Sequence, residues 1–163
     1  MAHYKLILED DSREDFSLVA IHCSQEAYKM AFLLNQHVQL RLQRRRVDLD
    51  FSEEGLEITF PLFEFENQDQ YTTYYLVANK CKTVAAHTFA SGGLFGNDAA
   101  EEVVTKYLIP EYKKVDFFLK IVSEYETTPI RKLVMQLNEI NQIISAFSVE
   151  PSDVKSKDNL IFD

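Results

Sequence analysis

Apolar and polar positions alternate over much of the chain, and this spacing gives way to a helical period in two places. Tyr4-Lys-Leu-Ile-Leu8 predicts a short strand, and the charged run from Glu9 to Asp15 a turn. Phe16-Ser-Leu-Val-Ala-Ile-His22 predicts a second strand, rich in β-formers. Ser24 then reads as a helix N-cap, and Ala27, Met30, Ala31, Leu34 and Val38 recur at helical spacing. Tyr28, Phe32 and Leu33 spread apolar surface round the sides of that helix. From Val38 to Phe51 the period returns to two, which predicts a half-buried strand bent near Arg44. Residues 56–60 and 62–66 form the next extended stretch, with Pro61 marking an edge position or a bulge. A polar turn at 67–70 leads back into a strand at 71–79, completing an antiparallel hairpin. The segment from Cys81 to Glu102 carries Gly92, Gly93 and Gly96 and predicts a long surface loop, with a helical turn near 99–103. Pro110 bends the chain ahead of a buried strand from about Val115 to Val122. Thr128 and Pro129 open a second helix. Its stripe of Ile130, Leu133, Val134, Leu137, Ile140, Ile144 and Phe147 runs to a stop at Glu150-Pro151.

This order predicts an α+β fold. Its expected form is a curved, mainly antiparallel sheet of about five to seven strands, covered by an N-terminal and a C-terminal helix. Residues 1–150 read as a single domain. Residues 151–163 read as a polar tail whose apolar end, Leu160-Ile-Phe162, docks on the domain or on a partner.

Composition narrows the partners. Seventeen basic against 26 acidic residues leave a net charge of −9, which repels phosphate backbones and anionic lipid. Nucleic acid and membrane are therefore not expected partners. Cys23 and Cys81 lie too far apart for a redox pair and imply a reducing compartment. With no export leader and no long apolar run, the expected location is the cytoplasm.

Motifs for chemistry are sparse. His3, His22, His37 and His87 lack metal-ligand spacing. A zinc site from His22, Cys81 and His87 would need the fold to bring them together. Gly92-Gly-Leu-Phe-Gly96 lacks the Lys-Ser/Thr of a phosphate loop. The acidic runs at 9–15 and 64–69 read as solvated turns. No catalytic, metal-binding or cofactor-binding residue is assigned, and no cofactor is expected. Candidate contact residues remain. Arg41, Arg44 and Arg46 belong to a basic patch in which Arg45 faces the other way, suited to carboxylate or phosphate docking or to pairing within the chain. Glu111 and Asp116 flank the central bend, Glu111 to accept backbone donors and Asp116 to cap the strand entrance or pair with Arg41 or Arg44. Tyr74 stands on the aromatic hairpin, and Leu160 and Phe162 on the tail.

The run Ile109-Pro-Glu111, three spacer residues, then Val115-Asp116-Phe117 resembles the signature of the IPExxxVDY family, small proteins of Bacteroidota. Phe117 replaces the final tyrosine of that signature. Phe32-Leu-Leu-Asn35, Tyr74-Tyr-Leu-Val-Ala-Asn79, Phe117-Phe-Leu-Lys-Ile121 and the ending from Lys155 to Phe162 are also similar to the family, so the resemblance spans nearly the whole chain. It implies a single-domain, cytoplasmic bacterial protein. It carries no activity, cofactor or catalytic residue. The expected function is a non-enzymatic interaction or adaptor domain that binds a protein partner or self-associates as a homodimer. The alternative is a small-molecule or acyl-chain binding domain with a pocket between the sheet and the C-terminal helix.

Overall fold

The computed structural model of the chain describes residues 16–53, 56–86, 101–125 and 128–162. The elements in order are β1 (Phe16–His22), α1 (Ala27–His37), β2 (Gln43–Arg44), β3 (Leu49–Glu53), β4 (Leu56–Phe60), β5 (Leu62–Asn67), β6 (Thr72–Ala78), β7 (Lys80–Ala86), β8 (Glu101–Tyr107), β9 (Phe117–Ser123), α2 (Ile130–Asn138) and β10 (Ser145–Val149). Six strands make one antiparallel sheet in the order β10-β1-β9-β6-β5-β2. β3 pairs with β4, and β7 with β8, as two separate ribbons.

The α+β class is as expected, but the single curved sheet is not. The main sheet is open and uncurled, with β10 and β2 as its edges. The reason lies at three breaks. Pro61 has no N–H to donate, so the ladder cannot run through it, and β4 and β5 join different sheets. Asn79, whose N–H goes to the Asp116 carbonyl and whose own carbonyl takes the Leu108 N–H, separates β6 from β7, and the bend at 45–48 separates β2 from β3. Each long stretch of alternation is thus cut in two, and one half leaves the sheet.

Both faces of the sheet are covered. α1 and α2 pack on one face over Val19, Ile21, Leu76, Leu119 and Ile121. The other face, with Leu18, Ala20, Val77 and Phe118, lies under β3–β4, the 108–115 segment and the tail residues Val154, Leu160 and Phe162. Burial on two sides explains why β1 and β9 read as nearly unbroken apolar runs.

Further expectations need correction. α1 starts at Ala27 with Glu26 at its N-cap, not Ser24. The start is two residues later than expected, Ser24 and Gln25 stay outside the helix, and the Cys23 N–H just before them is taken by Asp116 Oδ2 at 2.9 Å. α2 stops at Asn138, and residues 145–149 form β10 instead of a helix. β1 is buried and needs a second strand to satisfy its outward backbone groups, and β10 supplies it. Ile144 and Phe147, which the helical stripe would bury, are 72% and 39% exposed, while Ile143, Ala146 and Val149 are inside. The expected loop at 81–102 opens as β7 and closes as β8. The predicted strand at 4–8 and the glycines of 92–96 lie outside the described residues.

Candidate interaction surface

The residues around the Ile109–Asp116 bend form a staple. Asn79, fully buried, donates from Nδ2 to the carbonyls of Tyr112 and Val115, both at 2.9 Å. Its Oδ1 accepts the Ile109 N–H at 2.8 Å. Its backbone N–H donates to the Asp116 carbonyl and its own carbonyl accepts from Leu108, each at 2.9 Å. One side chain therefore holds the whole bend against the end of β6.

Asp116 lies at the next junction. Its carboxylate accepts from Cys23 N–H at 2.9 Å and from Lys80 Nζ at 2.7 Å. The expected arginine partner, Arg41 or Arg44, is replaced by Lys80 because β7 brings that lysine past the entrance of β9. Burial pushes the Cys23 thiol up, the nearby Asp116 charge adds to this, and a backbone hydrogen bond from Gln25 opposes it. The thiol therefore stays protonated and donates to the Gln142 carbonyl at 3.3 Å.

Glu111 reaches the tail. Its carboxylate accepts from the Ser156 N–H at 2.7 Å and the Ser156 hydroxyl at 2.9 Å. Partial burial alone would push this carboxyl up, but the hydrogen bonds from Ser156 and neighbouring backbone hold it below the ordinary carboxylate range. Folding thus favours the charged form. The resulting stability is complete above the unfolded value of about 4.3 and is lost as pH falls through the lower folded value. Glu111→Gln is expected to flatten this dependence. Between about pH 5 and pH 3 the urea midpoint of the wild type should fall further than that of the variant.

Tyr74, Leu160 and Phe162 are buried, so these three candidates face the interior. Tyr74 stacks on Phe65 with ring centroids 6.0 Å apart. Lys120, which pattern reading missed, anchors the tail. Its Nζ donates to the Leu160 carbonyl at 2.7 Å and lies 4.7 Å from the Phe16 ring centre and 5.1 Å from that of Phe162. A lone lysine in the apolar run Phe117-Phe-Leu-Lys-Ile was the available signal.

The basic patch is at the opposite edge. The chain leaves α1 through Gln39, whose φ of 57° is left-handed, and returns as Leu40-Arg41-Leu42. Leu40 and Leu42 go into the core and turn Arg41 outward. Arg44 makes a two-pronged contact to Asp48. Arg45 contacts Glu64 at 3.3 Å and donates to the Phe162 carbonyl at 3.1 Å. Among the described residues Arg41 and Arg46 have no carboxylate partner. Gln43 to Val47 and Glu64 line an open groove of ≈ 410 Å³, with Val47 71% exposed beside it. Among the described residues two arginines thus pair within the chain, Arg45 with Glu64 of the acidic stretch and Arg44 with Asp48 outside it, while Arg41 and Arg46 do not.

Among the described residues no cluster of three or more His, Cys, Asp or Glu could hold a metal ion. His87 of the conceived zinc set lies outside them. His22 packs against Phe147, with ring centres 5.8 Å apart. Among the same residues no helix is long and apolar enough to cross a membrane. Comparison with family models, curated proteins and solved structures finds no match.

Proposed function

We propose that this domain is a non-enzymatic interaction module, acting in the cytoplasm, that docks an acidic segment of a partner protein on the Arg41–Val47 corner. The observation that carries the reading is that the exposed guanidinium groups of Arg41 and Arg46 have no carboxylate partner among the described residues, in a chain of net charge −9. Arg46 lines a groove with Arg44, which Asp48 holds, and with Val47, which offers an apolar contact there; Arg41 lies just before that groove in the chain. Guanidinium groups bind carboxylates in two-pronged fashion, and opposite charge speeds encounter. The resemblance to the IPExxxVDY family supports a bacterial origin and adds no competing activity. Its signature residues have structural work in this chain: Ile109 and Val115 are buried, Glu111 holds the tail, and Asp116 joins β1, β7 and β9.

The alternative, a small-molecule or acyl-chain site between the sheet and α2, finds less support. Leu133, Leu137, Ile140 and Ile143 fill that layer. An apolar ligand would fit better between the two ribbons, where Phe51, Ile58, Phe60 and Leu108 floor a groove of ≈ 300 Å³ with Lys106 and Glu53 in its lining.

A fluorescent peptide of alternating glutamate and leucine tests the docking reading. The wild type is expected to bind it, more tightly at low salt. Arg41→Glu with Arg46→Glu is expected to weaken binding at least about tenfold, since each lost charge-assisted contact is worth about 1 kcal/mol or more. Equal affinity for wild type and variant would sink the proposal.

A further inference from the structure

Each edge of the six-stranded sheet ends against an asparagine from a helix. At the β10 edge, Asn138 at the end of α2 donates from Nδ2 to the Ala146 carbonyl at 2.9 Å and accepts the Ala146 N–H at 2.8 Å. The same Nδ2 donates back to Val134 at 2.9 Å, which fixes the amide on its own helix. At the β2 edge, Asn35 of α1 donates to the Leu42 carbonyl at 3.1 Å and accepts the Leu42 N–H at 2.8 Å. A side-chain amide has the donor and acceptor of a peptide unit. Each asparagine therefore stands where the next strand would.

The two edges differ in what lies beneath. β2 has two residues and carries Arg44, and short, charged edges resist strand addition. β10 is Ser-Ala-Phe-Ser-Val, with no charge and no proline. Its register sets Val149 opposite Leu18 and Phe147 opposite Ala20, the pairs that bond to β1. Ala146 and Ser148 consequently present their backbone groups outward.

We infer that Asn138 is an edge guard, and that the interaction surface beneath it fits a second copy of this chain. Two β10 strands related by a twofold axis at Phe147 place Ala146 of one copy opposite Ser148 of the other. Each such pair exchanges both backbone hydrogen bonds. The same axis sets the half-exposed Phe147 directly across from Phe147 of the second copy, at the closer type of cross-strand position. The strand is thus complementary to itself, as an isologous interface requires. Its lack of charge spares the contact line the repulsion of two acidic chains. Asn138 must release Ala146 before the pair forms, so the intact guard keeps the edge closed.

The test is molar mass by light scattering for wild type and Asn138→Ala over a concentration series. Asn138→Ala is expected to shift toward twice the chain mass where wild type does not. Adding Ser148→Pro, which removes an outward N–H, is expected to abolish that shift. An Asn138→Ala protein with the mass of wild type overturns the inference, and so does a wild-type dimer that Ser148→Pro breaks. Loss of Asn138 also loosens the end of α2, so amide exchange in the intact wild type gives a second reading. The outward Ala146 amide is expected to exchange at least about tenfold more slowly than that of Ser148. Equal rates would overturn the guard.

Discussion

Replacing Asn79 with alanine is expected to destabilise the fold by about 3–5 kcal/mol. The substitution removes little apolar area. Its effect comes from the groups left behind: the Ile109 N–H and the Tyr112 and Val115 carbonyls lose the side chain that satisfies them. Each buried polar group without a partner costs about 1–3 kcal/mol. The contacts to the Ile109 N–H and the Val115 carbonyl are buried and that to the Tyr112 carbonyl only partly so, so the first two should dominate. Against a total stability of about 5–15 kcal/mol, the change is a large fraction. Urea denaturation of the purified variant measures it, and a loss under about 1 kcal/mol would show that water replaces the amide. Asn79→Asp keeps the acceptor for Ile109 but sets a buried carboxylate oxygen against the Tyr112 and Val115 carbonyls, so it is expected to cost at least as much as alanine.

Phe162→Ala is expected to destabilise the protein by about 3 kcal/mol or more, the usual range for truncating a buried phenylalanine. A residue in a polar tail beyond the last strand would ordinarily be frayed and tolerant. Here the ring sits 5.2 Å from Tyr75 and 5.1 Å from Lys120 Nζ, and its carbonyl accepts from Arg45. A double-mutant cycle with Lys120→Ala should show coupling of about 0.5–2 kcal/mol, since the lysine both faces the ring and holds the adjacent Leu160 carbonyl. Additive losses would mean that the cation and the ring act independently. If Phe162 were instead a contact for another protein, the isolated chain would melt unchanged. The stability measurement therefore distinguishes a tail that completes the core from one that waits for a partner.

Local periodicity located β1, α1, β5, β6 and β9 because each is held by contacts that its own spacing announces. It failed at Ile144 and Phe147 for a definite reason. Their spacing suits a helix stripe as well as a strand, and the unsatisfied backbone edge of β1 decided between them. It also failed at 81–86, where Lys82 and Thr83 interrupt the apolar pattern and only pairing with β8 makes a strand. Among the candidate contacts, Arg41 was readable, since Leu40 and Leu42 on either side must turn inward. Asn35 and Asn138 were not, because an asparagine near a helix end looks the same whether it meets water or another strand's backbone.

The sequence by itself determined the class, the acidic surface, the two helices and the tight bend at Pro110, since all of these follow from composition and near-neighbour spacing. The tertiary structure alone decided where the long strands divide, that Lys80 and not an arginine meets Asp116, that Lys120 secures the tail, and that a helix amide closes each sheet edge. Those outcomes depend on which backbone groups lack partners once the layers stack. That is a property of residues far apart in the chain, as Leu18 and Val149 are, and no local pattern records it.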